Sequence, residues 1–325
     1  MRSTLRYTLI TLGAVAVLVA LGTRGTPTAR AGMLTMITES SPATPDGRRH
    51  RDSRMPFTDQ ETIRKSFDLG AAAASRTIVV DNVTGSIEVV GTDSSQVQLV
   101  VHRTNKAKTQ ERLDEARREV TLEITHEAGA LRLFVDGPFR CRRDGRKRGD
   151  GCCCINFHGD EGYSVRMDFQ LQVPRETQLT LRTVNGGDVN VRDVRGRFSV
   201  HNVNGGIAML GMAGSGEAQT VNGEVKITFR ENPREDSAFE SVNGDIDLRF
   251  VNGLSADFRF KTFNGDIYSD FPVTSLPGRG METERKGGKT IFRSDRFTGG
   301  RIGAGGIQVT VENLNGDIRI RENNE

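Results

Sequence analysis

From Thr77 onward, apolar and polar residues alternate in short runs: Ile78-Val79-Val80, then Val83 to Val89, then Val97 to Val101. A period of two is the mark of strands that bury one face. A longer run puts Val165, Met167, Phe169, Leu171 and Val173 on one side, and Pro174 closes it because proline cannot donate to a ladder. One stretch changes period. Leu113, Ala116 and Val120 share a helical face behind Thr109, a residue able to cap a first turn, which predicts a helix over about 109–119. Its other face is charged, so it is expected to cover one end or edge of a sheet. Strands are predicted again over 120–125 and 131–135.

After Pro174 the alternation falls into a repeat. An apolar residue followed by Asn-Gly recurs at Asn185, Asn204, Asn222, Asn243, Asn264 and Asn315, and most copies continue Asp-Ile or a close variant. The asparagines are 19, 18, 21, 21 and 51 residues apart. Val83 to Val89 reads as a degenerate copy with Thr84 in the asparagine position. Inward-facing positions repeat too: Leu179 and Leu181, Val189 and Val191, Val225, Ile227 and Phe229, Ile246, Leu248 and Phe250, Ile318 and Ile320. Two architectures fit this spacing, an antiparallel meander or sandwich with a hairpin at each Asn-Gly, or a solenoid whose coils stack. The solenoid is favoured. Every second turn keeps its residues while the intervening turns vary, as stacking of like upon like requires. The fold class expected is therefore all-β, a repetitive β-solenoid with one short helix near the N-terminal end. The 51-residue gap is expected to be an irregular coil with a long excursion before a final unit over 302–320.

The two ends of the pattern define the remaining parts. Arg2 and Arg6, the apolar run Tyr7 to Leu21 and the small-residue site Ala29-Arg30-Ala31 read as a secretory signal peptide over 1–31, with a retained anchor the lesser reading because the run is short for a bilayer. Residues 32–76 read as a disordered polar linker carrying Arg48, Arg49, Arg51 and Arg54. The β domain spans 77–322, interrupted over 137–162 by a Cys- and Arg-rich surface insertion.

Composition adds little beyond this. The 325 residues carry 45 basic and 42 acidic side chains, a net +3 that gives no electrostatic case for nucleic acid. Thirty-seven glycines, no tryptophan and 6% aromatics suit many short strands. Cys141, Cys152, Cys153 and Cys154 lie close together, and an exported chain favours disulfides among them over a zinc site with His158, since adjacent cysteines wrap a tetrahedron poorly.

The order of parts resembles the bacterial putative adhesin family, exported domains of unknown function similar to autotransporter adhesin head domains. The resemblance rests on the Val-x-Gly-x-Ile opening at Val83 to Ile87, the helix near Arg112, the strand ending Val173-Pro174 and the Asn-Gly-Asp-Ile units closed by Leu314 to Ile318. It implies a β-solenoid outside the cytoplasm, in periplasm, at the cell surface or beyond, with no catalytic motif to carry over.

Asp188, Asp245, Asp266 and Asp317 follow the turn glycines, where an unbroken row of carboxylates would suit calcium or a catalytic pair, but Gly206 and Glu224 interrupt it and aspartate beside Asn-Gly is ordinary turn chemistry. His50, His102, His126, His158 and His201 stand in no catalytic motif, and Gly303 to Gly306 opens a strand rather than a phosphate-binding helix. No metal, cofactor or enzymatic activity is expected. The function expected is non-enzymatic binding of an envelope, glycan or protein partner through outward strand positions: Asn190, Arg192, Lys226, Asp247, Arg249 and Arg319. The alternatives are a carbohydrate-active β-helix enzyme and an envelope-stress sensing module.

Overall fold

The computed structural model describes residues 55–70, 76–140, 162–276, 282–286, 289–293 and 298–323, all within one compact unit, Asp52–Glu325. The segment read as a signal peptide, the basic cluster up to Arg54 and all four cysteines lie outside the described residues.

The N-terminal part runs β1 (Phe57–Asp68), β2 (Thr77–Asp81), β3 (Ile87–Thr92), β4 (Gln96–Ala107), α1 (Gln110–Glu119), β5 (Thr121–Glu127), β6 (Ala130–Asp136) and β7 (Tyr163–Pro174). The repeats follow as β8 (Gln178–Arg182), β9 (Val189–Arg192), β10 (Phe198–His201), β11 (Ile207–Ala213), β12 (Gly216–Asn222), β13 (Val225–Glu231), β14 (Ser237–Asn243), β15 (Ile246–Phe250), β16 (Ala256–Asn264) and β17 (Ile267–Ser269). The chain ends with β18 (Thr274–Leu276), β19 (Glu282–Lys286), β20 (Lys289–Arg293), β21 (Thr298–Ile302), β22 (Ile307–Asn315) and β23 (Ile318–Glu322).

Two sheets face each other across the core. One has ten strands in the order β1-β4-β7-β3-β9-β11-β13-β15-β23-β17, the other eleven in the order β18-β21-β16-β22-β14-β12-β10-β8-β2-β6-β5. Each Asn-Gly is a corner where the chain leaves the eleven-stranded sheet for the ten-stranded one. Strands from successive coils then pair in parallel, β10 with β12 and β11 with β13 for example. Hairpins across Asn-Gly would pair consecutive strands antiparallel, so the stacked solenoid holds.

Stacking explains why the corner residues repeat. Asn204 donates from its side-chain amide to Asn185 at 2.8 Å, Asn222 to Asn204, Asn243 to Asn222, Asn315 to Asn243 and Asn264 to Asn315, each at the same distance. An amide is the side chain that donates and accepts in one line, so the ladder propagates from coil to coil. Thr84 bridges to Asn185, which places the degenerate first copy at the end of the row. The glycine that follows is required by close approach. A Cβ on Gly223 would lie 2.3 Å from the Gly205 carbonyl oxygen, and one on Gly244 would lie 2.2 Å from that of Gly223.

The order of coils in space departs from the order in sequence. β22 pairs with β14 on one side and β16 on the other, and β23 lies between β15 and β17. The C-terminal coil, the unit expected after the 51-residue gap, is thus inserted inside the stack rather than placed at its end. The asparagine ladder runs through it: Gly244 donates its backbone N–H to Asn315 and Gly316 donates to Asn264. Part of the gap forms β21 and β18, which cover the edge of β16 antiparallel.

The inward residues read from the repeat are all buried, from Leu179 and Leu181 to Ile318 and Ile320. Toward the inserted coil the core becomes aromatic: Phe229 stacks on Phe250 at 5.0 Å, and Phe258 on Phe260 at 5.2 Å. At the other end α1 packs against β4, β7 and β1. Thr109 caps it, accepting from Arg112 N, and Leu113 and Ala116 are buried. Its C-terminal end is held from below. The buried Arg103 guanidinium donates to the carbonyls of Ala116 and Val120, both at 3.0 Å, while its Nε donates to Asn105. A cation on the last carbonyls of a helix satisfies them and complements its dipole.

The linker expectation is corrected at its C-terminal part, because Phe57–Asp68 forms an edge strand paired antiparallel with β4 over its whole length. Only Asp59, Ile63 and Phe67 are even half-buried there. Pairing comes from the backbone, and charges along an outermost strand discourage further pairing while hiding the period from a hydrophobicity pattern.

Candidate functional site

Parallel, in-register coils turn the outward residues of each sheet into straight rows. On the ten-stranded sheet one row runs Asn190, Ala208, Lys226, Asp247, Arg319 and Tyr268, and the next includes Arg192, Leu210, Arg249 and Arg321. The six positions expected to bind therefore share one face. Much of their charge is used within the face. Lys226 pairs with Glu224 at 3.2 Å, and Arg319 bridges Asp245 and Asp317. Those bonds hold the Asp245 carboxyl below its ordinary range and push Arg319 up.

Asp247 corrects the expectation of a solvent-facing residue. It is only 5% exposed, because Arg249 and Arg321 lie over it, each with a nitrogen 3.5 Å from one of its oxygens. Those separations exceed good hydrogen bonds. Asp247 Oδ1 and Arg249 Nε are accordingly buried without a partner.

The turn aspartates bond the coil above. Asp188 accepts from Gly206 N, Asp245 from Asp317 N and Asp317 from Asp266 N, at 2.8, 2.9 and 3.1 Å. This is the turn role read from the sequence, extended into a between-coil bond.

Where the face ends, the outermost strand β17 and its neighbour β23 border a shallow cleft of about 440 Å³ lined by Tyr268, Asp270, Arg319, Ile320 and Arg321. The Tyr268 ring is half exposed and carries the Arg319 guanidinium 5.9 Å from its centre. Of these, only Arg319 is among the binding positions expected from the sequence. Tyr268 sits at the outward position of a repeat unit, but its meeting with Arg319 and Arg321 depends on insertion of the last coil beside β17.

The eleven-stranded sheet presents a different cluster. Ser199 Oγ donates to Glu217 at 2.8 Å, His201 Nε2 lies 3.2 Å from the same carboxylate, and His201 Nδ1 lies 3.2 Å from Gln219 Oε1. Gln219 donates onward to Glu240 at 2.7 Å. Serine and glutamate meet the same histidine nitrogen, and the serine proton is directed at the carboxylate, so the group does not form a nucleophile–base relay. It ties three strands together. The hydrogen bond from His201 holds Glu217 down at about 2, whereas burial, with Glu312 and Glu217 nearby, pushes Glu240 up. Because the folded Glu217 titrates below the ordinary 4.5, its ionised form stabilises the fold above that pH, and this contribution is lost as pH falls toward about 2. Thermal melts should therefore show Glu217→Gln less stable than wild type at pH 7, with the gap closing between pH 4.5 and pH 2. A gap independent of pH would contradict the assignment.

The fold and its faces define a two-sheet, mostly parallel β-solenoid with rows of outward side chains. Residues 168–321 match the Toastrack DUF4097 family. The match begins inside β7, leaving β1 to β6 and α1 upstream of it. No curated protein matches the chain. Among solved structures, a putative cell adhesion protein from Clostridium sporogenes aligns at 12% identity and a TM-score of 0.40, over 82% of this chain and 100% of that one. A putative adhesin from Bacteroides fragilis aligns at 10% identity and 0.36, over 80% and 97%. A putative lipid binding protein from Parabacteroides distasonis aligns at 10% identity and 0.26, over 81% and 96%. Among the described residues, no helix is long and apolar enough to cross a membrane.

Proposed function

We propose that the protein is an exported, non-enzymatic binding module that offers the outer face of its ten-stranded sheet to an envelope glycan or protein. The observation that carries this reading is the register of the coils. Outward side chains recur at strand spacing, about 4.8 Å, along straight rows, a geometry suited to an extended partner with its own repeat. The ladder and the core keep those rows rigid, so little side-chain or backbone order is lost on binding. Asn190 and Arg192 at one end of the face and Arg249 and Arg319 at the other are the contacts proposed. Export rests on Arg2, Arg6, the Tyr7 to Leu21 run and the Ala29-Arg30-Ala31 site.

The purified full chain, offered a panel of bacterial and plant polysaccharides and envelope fractions, is expected to show saturable retention on one of them without release of reducing ends. Reducing-end release that disappears in Asp245→Asn or Asp266→Asn would replace this reading with that of a carbohydrate-active enzyme.

A further inference from the structure

We propose that the cleft between β17 and β23 is a saccharide subsite that takes a carboxylate-bearing sugar, with Tyr268 as the platform and Arg321 as the carboxylate clamp. The inference rests on the binding reading above and narrows it to one place and one ligand class. β17 is the last strand of its sheet, so the cleft is open on the side where every inner strand has a neighbour. Its volume, about 440 Å³, falls in the range of small-ligand sites.

The lining divides the work. Arg319 is held by Asp245 and Asp317, and it leans on Tyr268 at 5.9 Å. The ring is 51% exposed, and its hydroxyl donates to Asp266 at 3.4 Å. A half-exposed ring oriented by these contacts is a platform for the apolar face of a pyranose, as aromatic side chains are for other flat ligands.

Arg321 is the available cation. Among the described residues its ion pair is with Asp247 at 3.5 Å, and that carboxylate is shared with Arg249, whose Nε has no hydrogen-bond acceptor there. Two guanidinium groups thus divide one carboxylate at distances too long for hydrogen bonds. An incoming carboxylate would give Arg321 the bidentate partner that Asp247 does not. Asp270 also lines the cleft and accepts from Glu322 N at 3.3 Å. It offers its remaining acceptor capacity to a sugar hydroxyl.

The test is calorimetry on the full chain with oligogalacturonate, its methyl ester, a hyaluronan oligosaccharide and cellohexaose. Binding is expected for an acidic member, weaker by about tenfold or more when the acid is esterified or in Tyr268→Ala or Arg321→Gln. Gln170→Ala, at an exposed position of β7 in the same sheet but away from the cleft, should leave affinity unchanged, and unaltered melting temperatures would show that the exposed variants fold. Equal affinity for acid and ester, or affinity unaffected by both cleft variants, overturns the subsite. If only the neutral glycan binds, the subsite fails and the binding module stands. If no polymer or envelope fraction binds, both fail.

Discussion

Gly244→Ala is expected to cost about 4 kcal/mol or more, among the largest effects available to a single methyl group. The new Cβ would stand 2.2 Å from the Gly223 carbonyl oxygen and 2.5 Å from its carbon, at a residue whose φ is +145°. Backbone on backbone leaves nothing flexible to move aside. Relief would require the coils to separate at the corner where Gly244 donates to Asn315 and Gly223 to Asn243. Gly253→Ala supplies the control. Gly253 has φ +79° but nothing within 4 Å of its added Cβ, so alanine there should cost only the left-handed strain, about 1–2 kcal/mol. Denaturant midpoints for both variants would separate the two causes. Equal losses would mean that stacking does not set the requirement for glycine at the repeat.

Removing the last coil should have the other large effect. A chain ending at Gly306 lacks Val309, Val311, Ile318 and Ile320, all fully buried. Burying four such side chains contributes roughly 6–12 kcal/mol in transfer terms, comparable with the whole stability of an ordinary domain. The loss falls on both sides of the slot, because β22 and β23 are the partners of β14 and β15 as well as of β16 and β17. Phe239 and Phe258, both buried in the intact chain, would flank an empty coil position. The truncated chain is expected to aggregate more readily and to be cleaved by protease beyond Phe250.

Much of the solenoid was legible in the residues themselves. Alternation identified the inward side chains, and the Asn-Gly repeat marked the corners, because each asparagine and glycine does the same job in every coil. Neighbourhood was not legible. A repeat says which residues occupy like positions but not which copy lies beside which, so nothing in the spacing of Asn243, Asn264 and Asn315 showed that the last would sit between the other two. The same gap hid the cleft, since Tyr268 and Arg319 become neighbours only through that insertion. Asp247 looked exposed because period two assigns it outward, and the two arginines that cover it come from its own strand and from β23. β1 escaped notice because an edge strand held by backbone pairing needs no apolar stripe. Arg103 and Asn105 likewise broke the pattern of β4 at the inward positions where α1 is held.

Hydrogen exchange followed by mass spectrometry, on the intact chain and on the chain ending at Gly306, tests the inserted coil most directly. In the intact chain, amides of β16 are expected to be protected along with those of β12 and β14. In the shortened chain the region from Lys261 to Asn264, which pairs with β22 but not with the retained β21, should exchange rapidly while β8 to β13 keep their protection. Protection retained across Lys261 to Asn264 after truncation would mean that β16 pairs directly with β14, and the terminal coil would then be an appendage to the stack rather than a member of its interior.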